Sequence, residues 1–288
     1  MIDLHTHTTA SDGRDAPAVL VKRAAQRGIH VLAVTDHDTV AGCAAAADEA
    51  AARAVQLVPG IEVTCVLEHV DVHVLGYFID VSNEPLLAFL ADQRRLRLDR
   101  VREIVARLAA HGIHLDVDVI LAPGLEDGSK AAGRPWVARA LVDVGQVATV
   151  SEAFDRWLGR GRPAFVPRVG VPPPVVFEHL HAAGGIASLA HPGLTRCDEH
   201  IPGFVEAGLD AIEVYHTKHD EEATERYRVL ADRLGVAVTG GSDYHGDQAH
   251  GAAALGDAEL PAEAFERLAS IGRRATSRAT ASGSSTSS

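Results

Sequence analysis

The stretch Val31-Leu32-Ala33-Val34-Thr35-Asp36-His37-Asp38 decides how this chain is read. A fully apolar run gives way to three ionisable residues, so a strand ends there and presents acid and imidazole groups at its C-terminal end. Comparable runs recur at Ile2–His5, Leu57–Val66, Val70–Ile79, Gly185–Ala190, Ala211–Tyr215 and Val236–Gly240. Helical spacing fills most of the intervals, at Pro17–Gly28, Val40–Ala54, Pro174–Gly184 and Glu221–Gly235, and three of these four stop at glycine, the usual terminator. Seven strands alternating mostly with helices predict an α/β fold, a TIM-like (β/α)7 barrel with its active site at the C-terminal ends of the strands.

One interval departs from the pattern. About six residues, Leu67 to Val72, separate the third and fourth runs, too few for a parallel crossover, which needs a dozen or more. The fourth strand is therefore expected to be antiparallel, in a hairpin with the third. Residues 84–167 hold a long Arg-rich helical pattern, Pro85–His111, and shorter ones around Trp136–Val144 and Ser151–Leu158, without alternating strands. They read as an inserted helical subdomain capping the substrate site, which leaves 1–83 and 168–274 as a discontinuous barrel. Residues 275–288 are Ser, Thr, Ala and Gly with a single Arg, too little apolar surface to offset the entropy of ordering, and a disordered tail is expected.

Hydrophobic residues make up 47% and aromatics 5% of the 288 residues, which suits a core of Ala, Val and Leu. The formal charge of −12 removes the broad attraction that drives duplex binding. That excludes duplex nucleic acid as the main partner, while a local Arg cluster can still hold a small phosphorylated substrate. No run approaches the roughly 18 uninterrupted apolar residues of a membrane span. Met1-Ile2-Asp3-Leu4-His5 has no basic segment followed by an apolar one, so a cytoplasmic protein without a membrane partner is expected. Cys43, Cys65 and Cys197 lie far apart without a CxxC pair, which suggests neither a disulfide framework nor a thiolate zinc site.

His5 and His7, two apart on a strand, point to one face, the spacing from which a strand can offer two imidazoles to a metal. Ser11-Asp12-Gly13 adds a carboxylate on the adjoining loop. Asp36 and His37 are functional candidates at the end of the second run, whereas Asp38 reads as the cap of the next helix. Glu62, inside Pro59-Gly60-Ile61-Glu62-Val63, is a carboxylate within a strand, costly unless a cation or hydrogen bonds compensate it. A bridging metal ligand supplies that compensation. An antiparallel fourth strand begins at the same mouth and brings His73 to Glu62. The fifth run ends in His191-Pro192-Gly193, the sixth in Glu213-Val214-Tyr215-His216 and the seventh in Gly241-Ser242-Asp243-Tyr244-His245. Each is common alone; their coincidence at one pole of one barrel is not. His30, His69, His111, His114, His179, His181, His200 and His250 fall on helices, turns or exposed runs and are assigned no role.

Asp3-Leu4-His5-Thr6-His7 with Ser11-Asp12-Gly13, Thr35-Asp36-His37, Gly60-Ile61-Glu62, Ala190-His191-Pro192 and Gly241-Ser242-Asp243-Tyr244-His245 resemble, in order, the motifs of the PHP (polymerase and histidinol phosphatase) phosphoesterases, over residues 2–256. The resemblance implies a distorted seven-stranded barrel and two or three divalent ions. It would place His5, His7, Glu62 and Asp243 on one ion, Glu62, His73 and His191 on a second with Glu62 bridging, and Asp12, His37 and His245 on a third. Mixed imidazole and carboxylate donors suit Mn first, with Fe or Zn next, over Mg or Ca. In the insertion, Gly133-Arg134-Pro135 and Gly159-Arg160-Gly161-Arg162-Pro163 are similar to the subgroup that removes the 3′-phosphate from nucleoside 3′,5′-bisphosphates or trims short 5′-phosphorylated RNA. There Arg134 would grip a substrate phosphate with its planar fork. His216 and His219 would bind the phosphate, His216 and Asp36 standing as catalytic candidates. Trp136, where many relatives have His, reads as a helix packing residue ahead of a base-stacking platform. A hydroxide bridging the metals would attack phosphorus in line with the leaving oxygen.

Three rival readings remain: a histidinol-phosphate phosphatase or another small-molecule phosphatase, an amidohydrolase-like enzyme acting at carbon, and a non-catalytic metal-binding PHP module. The insertion speaks against the first and the complete ligand set against the last.

Overall fold

The computed structural model describes residues 1–68, 70–126, 132–246 and 252–283, with 276–283 as backbone alone. His69, His250 and residues 284–288 of the tail lie outside the described residues. The elements are β1 (Ile2–Asp3), α1 (Pro17–Gln26), β2 (Val31–Val34), α2 (Ala41–Ala52), β3 (Gln56–Leu67), β4 (Val70–Tyr77), α3 (Glu84–Ala110), α4 (Val117–Glu126), α5 (Arg134–Asp143), α6 (Val150–Ala153) running into a π-helical turn (Phe154–Leu158), α7 (Pro173–Ala182), β5 (Ile186–Leu189), α8 (Pro192–Thr195), α9 (Ile201–Glu206), β6 (Ala211–His216), α10 (Glu221–Leu234), β7 (Ala237–Gly241) and α11 (Ala262–Gly283).

Local chemistry explains the boundaries. Pro17 opens α1, where its missing N–H is no loss. Asp220 accepts from Ala223 N to cap α10, which stops at Gly235 with φ 74°, a left-handed conformation glycine adopts without cost. The strands pair in chain order, β1 to β7. β1–β3 are parallel, as are β5–β7, and β4 is antiparallel to both of its neighbours. The expected hairpin is present, with Leu67 opposite Val70. Beyond β1 the backbone turns to β7, with Leu4 N donating to Gly240 O and a parallel bridge between Thr6 and Tyr244, so the sheet nearly closes on itself.

The barrel's two poles differ. Ile2, Val31, Ile186, Ala211 and Ala237, all at strand starts, cluster with Tyr77 and with Phe265 and Leu268 of α11, an apolar plug at the N-terminal pole. The opposite pole is polar. The insertion has a core of its own, built from Val101, Ile104, Leu108, Leu121, Val137, Leu141 and Leu158. α3 straddles the boundary, since Leu86 and Leu90 pack into the barrel cluster while its second half belongs to the insertion. α4 is absent from the sequence reading because Pro123 and Gly124 interrupt its pattern. α11 continues to Gly283, into the stretch for which no order is expected. Among the described residues no helix is long and apolar enough to cross a membrane.

Candidate metal centre

The polar pole is assembled around Glu62, which is 1% exposed. In the β3–β4 ladder Glu62 stands opposite Leu75 and Thr64 opposite His73, so Glu62 and His73 are diagonal neighbours on one face. Glu62 Oε1 lies 2.7 Å from His73 Nδ1 and 3.1 Å from His191 Nε2. Its Oε2 lies 3.0 Å from His37 Nδ1, 3.3 Å from His7 Nε2 and 3.4 Å from His5 Nε2. Asp243 Oδ1 is 3.2 Å from His7 Nε2 and 3.4 Å from His5 Nε2. Asp12 Oδ1 is 3.3 Å from His245 Nε2, and its Oδ2 is 3.8 Å from His37 Nε2.

Glu62 Oε1 is within hydrogen-bond reach of His73 and His191, whereas most of the other separations suit donors that share an ion. Two donors about 2.0–2.2 Å from a shared ion stand roughly 3.0–3.6 Å apart. His5 Nε2, both nitrogens of His7, His37 Nδ1, His191 Nδ1 and Glu62 Oε2 are buried without a hydrogen-bond partner, a cost that a coordinated cation would remove. Four overlapping groups could hold an ion: His5, His7 and Asp243; His5, Glu62 and His191; His37, Glu62 and His73; and His7, Asp12, His37 and His245. All nine residues expected as ligands are brought together. A fifth group, His5, Glu213 and His216, adds two more residues.

Charge is balanced within the cluster. Burial pushes the Glu62 carboxyl up, but His37, His73 and His5 outweigh it and hold it well below the usual range. Burial likewise brings His37 down to about 3. His245 moves the other way, to about 10, because Asp12 and Asp243 outweigh its burial.

Glu213 and Asp3, to which the sequence reading gave no role, hydrogen-bond the residues and loops of the cluster. Glu213 accepts from His5 Nδ1 at 2.9 Å and from His191 N at 2.7 Å. This fixes the His5 tautomer and turns the Nε2 lone pair towards Glu62 and Asp243. Asp3 accepts from Ser242 N and Gly256 N, both at 2.9 Å, and ties β1 to the loop bearing Asp243. Both are carboxylates in apolar strands, the signal that singled out Glu62.

Three expectations are revised. Asp38 does not cap α2, whose first turn follows Val40 without a side-chain cap. It is wholly buried, accepts from Thr64 N at 3.0 Å and forms an ion pair with Arg97 of α3, a partner far away in sequence. The Asp36 carboxylate is taken up by the loop: it accepts from Thr8 N and Thr8 Oγ1 at 2.7 Å and from Ser11 Oγ at 2.6 Å, which shapes the loop between His7 and Asp12, while its backbone oxygen accepts from Glu62 N at 3.2 Å. In His219, Nδ1 donates to Val214 O at 2.9 Å and Nε2 accepts from Gly193 N at 3.2 Å, leaving neither nitrogen for a substrate. In His216, Nδ1 accepts from Lys218 N at 3.1 Å while Nε2 is buried without a hydrogen-bond partner, 3.6 Å from Asp243 Oδ2.

Beside His73, the insertion and the segment returning from it contribute guanidinium groups. Asp71 Oδ2 lies 3.4 Å from Arg134 Nη2, 3.6 Å from Arg168 Nε and 3.8 Å from Arg100 Nη1. Arg100 Nη2 and Arg168 Nε are buried without hydrogen-bond partners. Burial, reinforced by neighbouring guanidinium groups, brings Arg168 down to about 9 and Arg100 to about 10. Arg100 and Arg168 carried no sequence signal, because their convergence depends on the path of α3 and the return from the insertion.

Imidazoles and carboxylates at this spacing, on the strand ends of a TIM-like barrel, define a metal-dependent hydrolase. The PHP domain matches residues 3–117. The chain is 35% identical over 253 residues to the 5′-3′ exoribonuclease of Haemophilus influenzae, covering 84% of this chain and 89% of that protein. It is also 35% identical over 249 residues to the 3′,5′-nucleoside bisphosphate phosphatase of Chromobacterium violaceum, covering 85% and 87%. Among solved structures, a Bifidobacterium adolescentis protein assigned as a metal-dependent phosphoesterase superposes with a TM-score of 0.84 at 33% identity, over 92% of this chain and 94% of that one. The chain belongs to the PHP family and is a metal-dependent phosphoesterase.

Proposed function

We propose that this phosphoesterase removes the 3′-phosphate from nucleoside 3′,5′-bisphosphates or trims short 5′-phosphorylated RNA, with the scissile phosphate at the metal centre and a second phosphate on Arg134. The observation that carries the reading is the surplus of four guanidinium groups, Arg97, Arg100, Arg134 and Arg168, over the two carboxylates of Asp38 and Asp71, the latter two residues along β4 from His73. A phosphate dianion beside the scissile group would balance that charge through forked hydrogen bonds. Histidinol phosphate has no second phosphate to offer.

His5, His7, Glu62 and Asp243 would hold one ion, Glu62, His73 and His191 a second, and Asp12, His37 and His245 a third. Divalent ions there, Mn ahead of Fe or Zn, would provide ionised water near neutral pH and offset the phosphoryl charge. The P–O bond to the leaving oxygen breaks as the water oxygen bonds to phosphorus, and the leaving oxygen needs a proton. His216 is suited to hydrogen-bond that oxygen through Nε2, the nitrogen directed to the centre, because Nδ1 accepts from Lys218 N, while a solvent water gives the proton. Asp36 and His219 act as positioning residues. A small nucleotide partner in a reducing cytoplasm accords with three buried free thiols.

The test is phosphate release in Mn buffer from adenosine 3′,5′-bisphosphate and from histidinol phosphate. We expect the bisphosphate to be favoured in kcat/KM by about a hundredfold. Equal values would overturn the reading.

A further inference from the structure

Between the insertion and the β1–α1 loop lies a cleft of about 320 Å³ that the phosphate chemistry does not use. Val119, Ile120 and Pro123 of α4 and Trp136 of α5 form its apolar walls, and Ser11, Arg139 and Asp143 its polar rim. On α5, Trp136, Arg139 and Asp143 recur at i, i+3 and i+7, so one helix face is turned to the cleft. The cleft is open, with Val119 69% exposed on its wall. Trp136 is also fixed: a Cβ at Gly124 of α4 would stand 3.4 Å from its outer ring atoms. Packing and platform are thus one role, since α4 sets the ring in place before anything enters.

The cleft adjoins the metal centre. Arg139 Nη2 donates to the backbone oxygen of the ligand Asp12 at 2.7 Å. The same helix carries Arg134 to Asp71. Residues 134 and 139 are separated by roughly 7.5 Å along a helix axis, on the scale of the distance between a nucleotide's 5′-phosphate and its base. A volume of about 320 Å³ is at the small end of ligand pockets, which run from about 300 to 1,000 Å³. It suits a planar heterocycle with apolar faces and a polar edge.

We infer that this cleft is a nucleobase subsite, in which Trp136 and the α4 side chains take the faces of the base and Arg139 and Asp143 its polar edge. The inference rests on the nucleotide reading given above. α5 then spans one nucleotide, with Arg134 at its phosphate end and Trp136 and Arg139 at its base end.

The experiment compares kcat/KM on adenosine 3′,5′-bisphosphate and on base-free 1-deoxyribose 3,5-bisphosphate, in wild type, Val119→Glu and Trp136→Leu. Tryptophan fluorescence under added adenosine 5′-monophosphate is a second readout, with Trp136→Phe correcting for Trp157. Wild type is expected to favour the nucleotide by about tenfold and its Trp136 emission to be quenched. Val119→Glu, at an exposed position where folding is not at stake, should lose most of that preference while the base-free rate is unchanged. Quenching without turnover of either substrate would uphold the subsite and count against the phosphatase reading. Equal wild-type rates on both substrates without quenching, or a preference untouched by Val119→Glu and Trp136→Leu, would overturn the inference.

Discussion

The barrel mouth and the helical segment of residues 84–167 follow opposite charge logic. In the mouth, the carboxylates of Asp12, Glu62 and Asp243 are set among six imidazoles, and unpartnered atoms of the cluster point at one another across ion-sized gaps. In that segment and at its return, Arg97, Arg100, Arg134 and Arg168 outnumber the two carboxylates that hold them, Asp38 and Asp71. The mouth aims its ligands with backbone, even at some strain: His191 and Asp243 hold φ of 26° and 55°, a region that costs a non-glycine residue free energy. The insertion reaches in with long side chains from helices. Rigid backbone suits ions, which tolerate little error in donor position, and extended arginines suit a phosphate that must arrive and leave. Among the links between the two regions, the Asp38–Arg97 ion pair is deeply buried.

The comparison can be broken first at Glu62. Glu62→Gln removes the carboxylate that five imidazoles surround and leaves the cations uncompensated. Turnover should fall roughly a thousandfold or more, measured as phosphate release with circular dichroism as the fold control; wild-type-like turnover would end the bridging assignment.

Asp38→Asn tests the link. Removing one partner of a buried ion pair costs about 3 kcal/mol, and thermal melting should report it while metal content stays at the wild-type level. The pH dependence follows the sign of the shift. Burial raises the Asp38 carboxyl, but Arg97 and Arg168 outweigh it and lower it overall. Its stabilisation is therefore complete above the unfolded carboxyl value of about 3.9 and declines as pH falls below that towards the folded value. Asp38→Asn should flatten that acid limb; an unchanged limb would mean that the pair contributes nothing.

Arg134→Ala sharpens the contrast between the regions. It should lower kcat/KM on adenosine 3′,5′-bisphosphate by roughly tenfold to a hundredfold and leave adenosine 3′-monophosphate within about twofold. Equal losses on both would mean that Arg134 serves the scissile phosphate. The smallest effect is expected for Asp12→Ala: elemental analysis should find one ion fewer per chain, with the Glu62-bridged pair kept. Unchanged metal content would reduce Asp12 to a loop residue.

How much of this was legible in the sequence follows the same division. The strands and their polarity could be read because each apolar run ends in ionisable residues, and the antiparallel β4 because the interval before it is too short for a crossover. Strand ends bring His5, His7, His37, Glu62, His73, His191 and Asp243 into view as candidates by periodicity, and the resemblance to the ordered PHP motifs narrows the set to nine with Asp12 and His245. Glu213 and Asp3 sit on the same strands but serve an imidazole and backbone amides, partners that have no signature in sequence. Asp38 was misread because a capping Asp and a buried ion-pair Asp look alike until Arg97 arrives from α3. Arg100, Arg168 and the cleft at Trp136 depend on how helices pack, which spacing within one helix does not determine.

The most direct test of the central claim is turnover of adenosine 3′,5′-bisphosphate by protein stripped with a chelator, before and after Mn is returned, with melting temperature followed in parallel. Stripped protein should be inactive and Mn should restore it, raising the melting temperature by roughly 5 °C or more, as expected for ligands bound well above their dissociation constants. Full turnover by protein verified to be free of metal would contradict the account.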